Sequence, residues 1–110
     1  MLLNSTESFV LSLLQGDASL QDENKEPVEM EGWHLRKNIY NSFVEYCREN
    51  NTRIEKSPTF WTTLKKILPY TADAKNDKMI RAFRMKQILD LDVNRELWTK
   101  HMSGWNWEHE

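Results

Sequence analysis

Two runs of apolar residues at helical spacing, followed by a basic alternating run, occupy residues 35–88 and constrain the fold more than any other feature. In the first run the apolar side chains recur every three to four positions, which predicts one apolar stripe along a helix. The stripe consists of Leu35, Ile39, Phe43, Tyr46 and Cys47. Asn50 and Asn51 are expected to end this helix.

A second helix is predicted over residues 57–68. Ser57 is a good N-cap, and Pro58 suits the first helical position, where a missing N–H costs nothing. Pro69 is expected to stop the helix. Its predicted buried side consists of Phe60, Trp61, Leu64, Ile67 and Leu68.

After a turn at Asn76 and Asp77, residues 78–88 alternate in the manner of a strand or hairpin. A helix, a helix and a basic hairpin follow one another in a winged helix. We therefore predict a mainly α, winged-helix-like single domain with a small β-hairpin, an N-terminal helix and a C-terminal helix. The apolar faces of the two central helices should form one cluster, closed by Phe83 from the strand. The cluster is expected to contain Tyr40, Phe43, Phe60, Trp61 and Leu64.

The flanking segments divide the chain further. Residues 1–16 are predicted to form the N-terminal helix, begun at residues 5–8 and ended by Gly16. Residues 17–32 carry six acids and one base with little periodicity, and are predicted to be an acidic linker. Residues 33–102 form the winged-helix-like domain, whose last helix is capped by Asp92, and residues 103–110 form an acidic tail with two tryptophans.

Charge is distributed unevenly along the chain. Residues 36–86 carry twelve Lys/Arg and five Asp/Glu, a balance of +7, whereas the remainder has three basic and twelve acidic residues, a balance of −9. The net charge of −2 hides this asymmetry. A basic segment of this kind is suited to the phosphates of nucleic acid.

The predicted partner is therefore DNA, single- or double-stranded, bound mainly through its backbone. The second predicted helix and the hairpin supply the candidate contacts. They are Thr62, Lys65, Lys66, Lys78, Arg81, Arg84 and Lys86. The helix offers neither Arg nor Asn on its polar side, so weak sequence specificity is expected.

The residues that an enzyme would need are scarce. His34, His101 and His109 are widely spaced, and the three glycines form no phosphate-binding loop. We therefore expect no catalytic residue, no metal site and no cofactor. Cys47, on the apolar face of the first central helix, is expected to be a buried small hydrophobe. No signal peptide or membrane span is evident, so a cytoplasmic protein is predicted; for a phage-encoded protein this is the host cytoplasm.

Residues 39–51 and 57–64 resemble the C-terminal domain of virus-, phage- and plasmid-type replicative primase-helicases. The matching positions are Tyr40, Phe43, Tyr46, Cys47, Phe60 and Leu64. Residues 7–11 and the acidic spacer resemble the connection that leaves the ATPase core of those enzymes. Asn50-Asn51 replaces the glycine that the family often has before the proline-started helix.

The resemblance implies that this chain is the end of a longer primase-polymerase/helicase, with residues 1–16 finishing an upstream ATPase-like region. Polymerisation and ATP hydrolysis would lie upstream. The role implied for this domain is accessory: it contacts template or origin DNA, or organises the neighbouring ring of helicase domains.

Two other functions fit the sequence. The first is a protein-interaction or oligomerisation module, in which the acidic linker, the apolar helix at residues 9–14, Trp105 and Trp107 dock on a partner. The second is a free-standing winged-helix transcription regulator, which should be a symmetric dimer with an operator preference.

Overall fold

Four α-helices and five short strands make up residues 2–80 and 83–107, which are the residues that the computed structural model describes. The helices are α1 (Ser5–Gln15), α2 (Arg36–Asn50), α3 (Ser57–Ile67) and α4 (Leu91–Met102). The strands are β1 (Leu20–Gln21), β2 (Pro27–Val28), β3 (Gly32–Leu35), β4 (Asp77–Ile80) and β5 (Phe83–Ile88). Two 3-10 helices, Pro69–Ala72 and Ala74–Asn76, connect α3 to β4.

The topology is that of a winged helix. Strands β3, β5 and β4 form an antiparallel sheet with β5 in the centre, in which Leu35 pairs with Met85 and Ile80 with Phe83. Helices α2 and α3 lie between β3 and the β4–β5 hairpin in sequence, and this hairpin is the wing. The predicted fold class is confirmed, although the sequence analysis did not predict the strand β3.

Helix α1 is capped at both ends and buried on one side. Its N-cap is Asn4, just before the predicted start; Asn4 Oδ1 accepts from the Glu7 N–H at 2.8 Å, and Glu7 Oε1 accepts from the Asn4 N–H at 3.0 Å. Gly16 ends the helix with a φ of 81°. Phe9, Val10 and Leu14 are buried in the core, so this helix is not an exposed apolar surface.

The acidic segment at residues 17–32 is not a linker, and that prediction was wrong. Strands β1 and β2 pair in a small hairpin, Leu20 enters the core, and the Gln21 N–H donates to Ser42 Oγ of α2 at 2.9 Å. The Asn38 side chain of α2 also donates to Glu23 Oε2 at 3.3 Å. Leu20, the partly buried Val28 and Met30, and these hydrogen bonds hold this segment against the domain.

The observed ends of α2 and α3 agree with the predicted ends to within about one residue. Asn51 is left-handed, with a φ of 52°, and its N–H donates to the Cys47 carbonyl, as expected of an asparagine that ends a helix. Cys47 is fully buried, as predicted. Lys56, rather than Ser57, holds the N-cap position of α3, so Pro58 falls one position later in the first turn, where it still costs no hydrogen bond.

The aromatic cluster where α2 crosses α3 is confirmed. The rings of Phe43 and Phe60 lie 4.7 Å apart between centroids, and Tyr40 and Trp61 contact Phe60 at 5.5 and 5.2 Å. Phe9 of α1 joins them at 5.7 Å from Phe43. Phe83 does not close the cluster: it is 52% exposed, because alternation along β5 sends Lys86 and Ile88 inward and Phe83 to the other face.

The tryptophans of the C-terminal segment also pack on the domain. Trp98 of α4 is fully buried, and Trp105 meets it edge-on at 5.7 Å. Trp107 Nε1 donates to Thr99 Oγ1 at 2.9 Å, and Arg95 lies 4.8 Å from the Trp107 ring centroid. Helix α4 itself is capped by Asp90, whose carboxylate accepts from the Val93 N–H, rather than by Asp92.

Replacing Phe60 by Ala should lower the free energy of unfolding by about 3–5 kcal/mol, because the ring is fully buried among four other aromatic groups. The matched control is Phe83→Ala, which removes an exposed ring and should change stability little. Urea denaturation followed by circular dichroism measures both. Equal midpoints for Phe60→Ala and the parent protein would contradict this account of the core.

Candidate nucleic-acid interface

A groove lies between the first turns of α2 and α3 on one side and the start of β5 on the other. Its volume is about 400 Å³, which is within the range of ligand-binding clefts. It is lined by Leu35, Arg36, Lys37, Tyr40, Asn41, Ser57, Trp61, Phe83 and Arg84. Three of these residues are cationic, three are aromatic and none is acidic.

Two of the three cations of the groove lie over aromatic rings. The Arg36 guanidinium lies 4.5 Å from the ring centroid of Trp61, and the Lys37 ammonium lies 5.2 Å from that of Phe83. Burial, and secondarily the positive charge of Arg84, lower the pKa of Arg36, with a smaller opposite effect from the Asp77 carboxylate, although an arginine stays charged at neutral pH. Within the described part of the chain, none of the three lies within ion-pair distance of a carboxylate. An anion in the groove would therefore relieve repulsion between like charges.

The helix ends at the groove are also left positive. Helices α1 and α4 have a side-chain N-cap and an acidic residue in the first turn. Helices α2 and α3 have neither, and α2 begins with two cations instead. Because the N-terminus of a helix carries partial positive charge and free N–H groups, these two ends add to the field of the three side chains.

The basic surface continues from the groove along α3. Ser57, Trp61 and Lys65 are spaced four residues apart, so they follow one side of the helix. Lys65 and Lys66 are exposed. Thr62 is exposed too, but its hydroxyl donates to the Pro58 carbonyl at 2.9 Å. The Thr62 hydroxyl can therefore accept a hydrogen bond from a ligand but has no free proton for a phosphate.

Lys86 is not a surface residue, and its assignment to the binding surface was wrong. Its side chain is only 7% exposed, pairs with the Asp77 carboxylate and donates to the Thr71 carbonyl. The alternation of β5 turns it inward, and the carboxylate on the neighbouring strand neutralises its charge. Lys86 thus anchors the wing to the 3-10 helix Pro69–Ala72.

The other candidates from the wing have different surroundings. Arg84 lies in the groove. Lys78 is exposed and sits 4.4 Å from the ring centroid of Trp33, on the face of the sheet that carries Trp33 and Met85. Arg81 lies outside the described residues. The surface thus brings together Thr62, Lys65, Lys66 and Arg84 around the groove and its continuation, with Lys78 on the wing beside it.

Sequence analysis missed Arg36, Lys37 and the aromatic groups beside them. A signal was present: two adjacent cations open a helix, where the helix dipole disfavours positive charge. Cations at the start of a helix are therefore candidates for contact with an anion. The periodicity argument considered only the apolar stripe of α2 and ignored its first turn.

Among residues 2–80 and 83–107 no three His, Cys, Asp or Glu side chains are grouped as metal ligands would be. No helix in the same part of the chain has the length and apolar character needed to span a bilayer.

Comparisons of the chain with protein-family models, with curated proteins and with solved structures found no match.

Replacing Lys86 by Met should lower the free energy of unfolding by about 2 kcal/mol, because the Thr71 carbonyl and the Asp77 carboxylate, which is 28% exposed, would lose the Lys86 ammonium as a partner. Lys78→Met is the matched control: it removes an exposed ammonium and should change stability by less than about 0.5 kcal/mol. Chemical denaturation of both variants provides the measurement. If the two variants unfolded at the same urea concentration, Lys86 would not anchor the wing.

Proposed function

We propose that this chain is a non-catalytic nucleic-acid-binding domain that holds the backbone of DNA at the groove and along α3. The observation that carries the proposal is the convergence of Arg36, Lys37 and Arg84 on two uncapped helix N-termini, with no acidic residue in the lining. Phosphates are the anions that such a surface suits best, because guanidinium and ammonium groups form charge-assisted hydrogen bonds with them.

The side chains available define the kind of recognition. Contacts from Lys65, Lys66 and the groove cations reach phosphates, which position a protein on DNA but carry no sequence information. The exposed face of α3 presents threonines and lysines rather than the Arg or Asn side chains that read base edges in pairs of hydrogen bonds. The proposed binding is therefore strong at low salt and weakly selective for sequence.

A wider role follows from the resemblance to primase-helicase C-terminal domains. In that role the domain is an accessory part of a DNA-replication primase-polymerase/helicase, contacting template or origin DNA or organising the ring of upstream helicase and primase domains. Four of the matching residues, Phe43, Cys47, Phe60 and Leu64, lie in the core. The resemblance therefore supports the shared fold first and the replicative parent second.

The competing proposal of a protein-interaction module has lost its main support. It depended on an exposed apolar helix at residues 9–14 and on free tryptophans at 105 and 107. Phe9 and Leu14 are buried, and both tryptophans contact α4 or each other. DNA binding is the function that the described surface favours.

The first test is a titration of labelled single-stranded and duplex DNA at several salt concentrations. We expect the affinity to fall steeply with salt, since each neutralised phosphate releases a counterion. Arg84→Ala should weaken binding roughly tenfold and lower the salt slope by about one contact, with unchanged stability. Fluorescence anisotropy gives the affinity and the salt slope, and urea denaturation gives the stability.

Arg48→Ala is the matched control, because Arg48 is an exposed arginine near the other end of α2, paired with Glu45 at 3.0 Å. It should leave DNA binding unchanged. Absence of binding to either DNA at low salt would refute the proposed function. Equal losses in Arg48→Ala and Arg84→Ala would show that net charge, rather than the groove, is responsible.

A further inference from the structure

The groove contains planar groups as well as charges. Phe83, at the start of β5, is half exposed, although a phenylalanine ring is normally buried in a small domain. Its one described ring interaction is with the Lys37 ammonium, 5.2 Å from its centroid. The ring thus lies at the edge of the groove without a packed aromatic neighbour among the described residues.

The helical side of the groove presents a second planar group. Trp61 is only 3% exposed: its ring packs in the core against Phe60, and the Arg36 guanidinium lies over it at 4.5 Å. Arg36 is half-buried and lines the groove, and planar guanidinium groups stack on nucleobases. The groove therefore has a guanidinium plane on its helical side and an aromatic ring on its wing side.

Base-paired DNA cannot use these planes. The faces of its bases are stacked on one another, and only their edges and the phosphates are accessible from the grooves of the duplex. An unpaired nucleotide offers the face of its base and a phosphate on the same unit. Aromatic side chains beside cations are the usual means by which proteins hold such nucleotides.

We infer that the groove binds an unpaired nucleotide, so that the preferred ligand is single-stranded DNA or the single-stranded part of a fork. The base stacks on Phe83 and the Arg36 guanidinium, and the neighbouring phosphate contacts Lys37, Arg84 and the first turns of α2 and α3. This inference depends on the proposed function, since it specifies which form of nucleic acid the same basic surface takes.

The test uses the whole 110-residue chain and three DNA ligands of one sequence: a single strand, a blunt duplex and the same duplex with an unpaired tail. Anisotropy titrations at one low salt concentration give the three affinities. The single strand and the tailed duplex should bind about tenfold more tightly than the blunt duplex, which corresponds to one stacking contact. A 2-aminopurine base in the unpaired segment should lose fluorescence when it stacks in the groove.

Substitutions at Phe83 separate stacking from charge and from apolar bulk. Phe83→Ala and Phe83→Leu should both abolish the preference and the fluorescence loss, because leucine keeps the bulk without the ring plane. Phe83→Trp should retain both. Leu91→Ala is the control for an exposed apolar side chain, since Leu91 is 40% exposed at the start of α4 and does not line the groove.

The outcomes distinguish this inference from the function on which it depends. If all three DNA ligands bound equally, and Phe83→Ala changed nothing, the groove would hold phosphates only and the inference would be wrong while DNA binding stood. If Phe83→Leu behaved like the parent protein, apolar contact rather than stacking would be responsible, which would also overturn it. If no ligand bound at all, the proposed function would fail first.

Discussion

The contact between Phe43 and Phe60 determines where the other parts of this domain can lie. These rings, 4.7 Å apart and fully buried, join α2 to α3, and Phe9 attaches α1 to the same point. Because the crossing fixes both helices along their length, it also places the first turn of α2 near the first turn of α3. The groove exists at that place because the aromatic core holds the two helix starts together.

The wing is held by a second interaction, which is ionic rather than aromatic. The ion pair between the buried Lys86 and the half-buried Asp77 joins β5 to β4, and the hydrogen bond from Lys86 to the Thr71 carbonyl joins β5 to the 3-10 helix that follows α3. A buried pair of this kind contributes little net stability but strongly penalises arrangements that separate it. The ion pair therefore fixes the register of β5 against β4, because side chains alternate along a strand and an inward Lys86 requires an outward Phe83.

Local sequence patterns predicted the helices, their approximate ends and the aromatic cluster, since each depends on residues within a few positions of one another. These patterns failed where the direction or burial of a side chain depends on a segment that is far away in sequence. The direction in which Phe83 and Lys86 point depends on pairing with β3, some fifty residues earlier, and on the carboxylate of Asp77.

Leu20, Trp105 and Trp107 were assigned to linker and tail because nothing near them in sequence reveals that α2 and α4 provide surfaces for them. The groove was missed for a related reason, as its cations come from α2 and β5.

The connection between α1 and α4 has a consequence for how the domain holds together. His101 Nε2 lies 2.8 Å from Glu7 Oε2, across 94 residues of sequence, and Arg95 donates to the Leu14 carbonyl, across 81. Contacts of such long range form only when most of the chain is already in place, because closing the intervening loop costs entropy. Helices α1 and α4 thus pack against each other, and both contact α3. A shortened chain that lacked either end helix would lose both of these contacts and leave part of the core uncovered, so the two end helices belong to the same fold as the central pair.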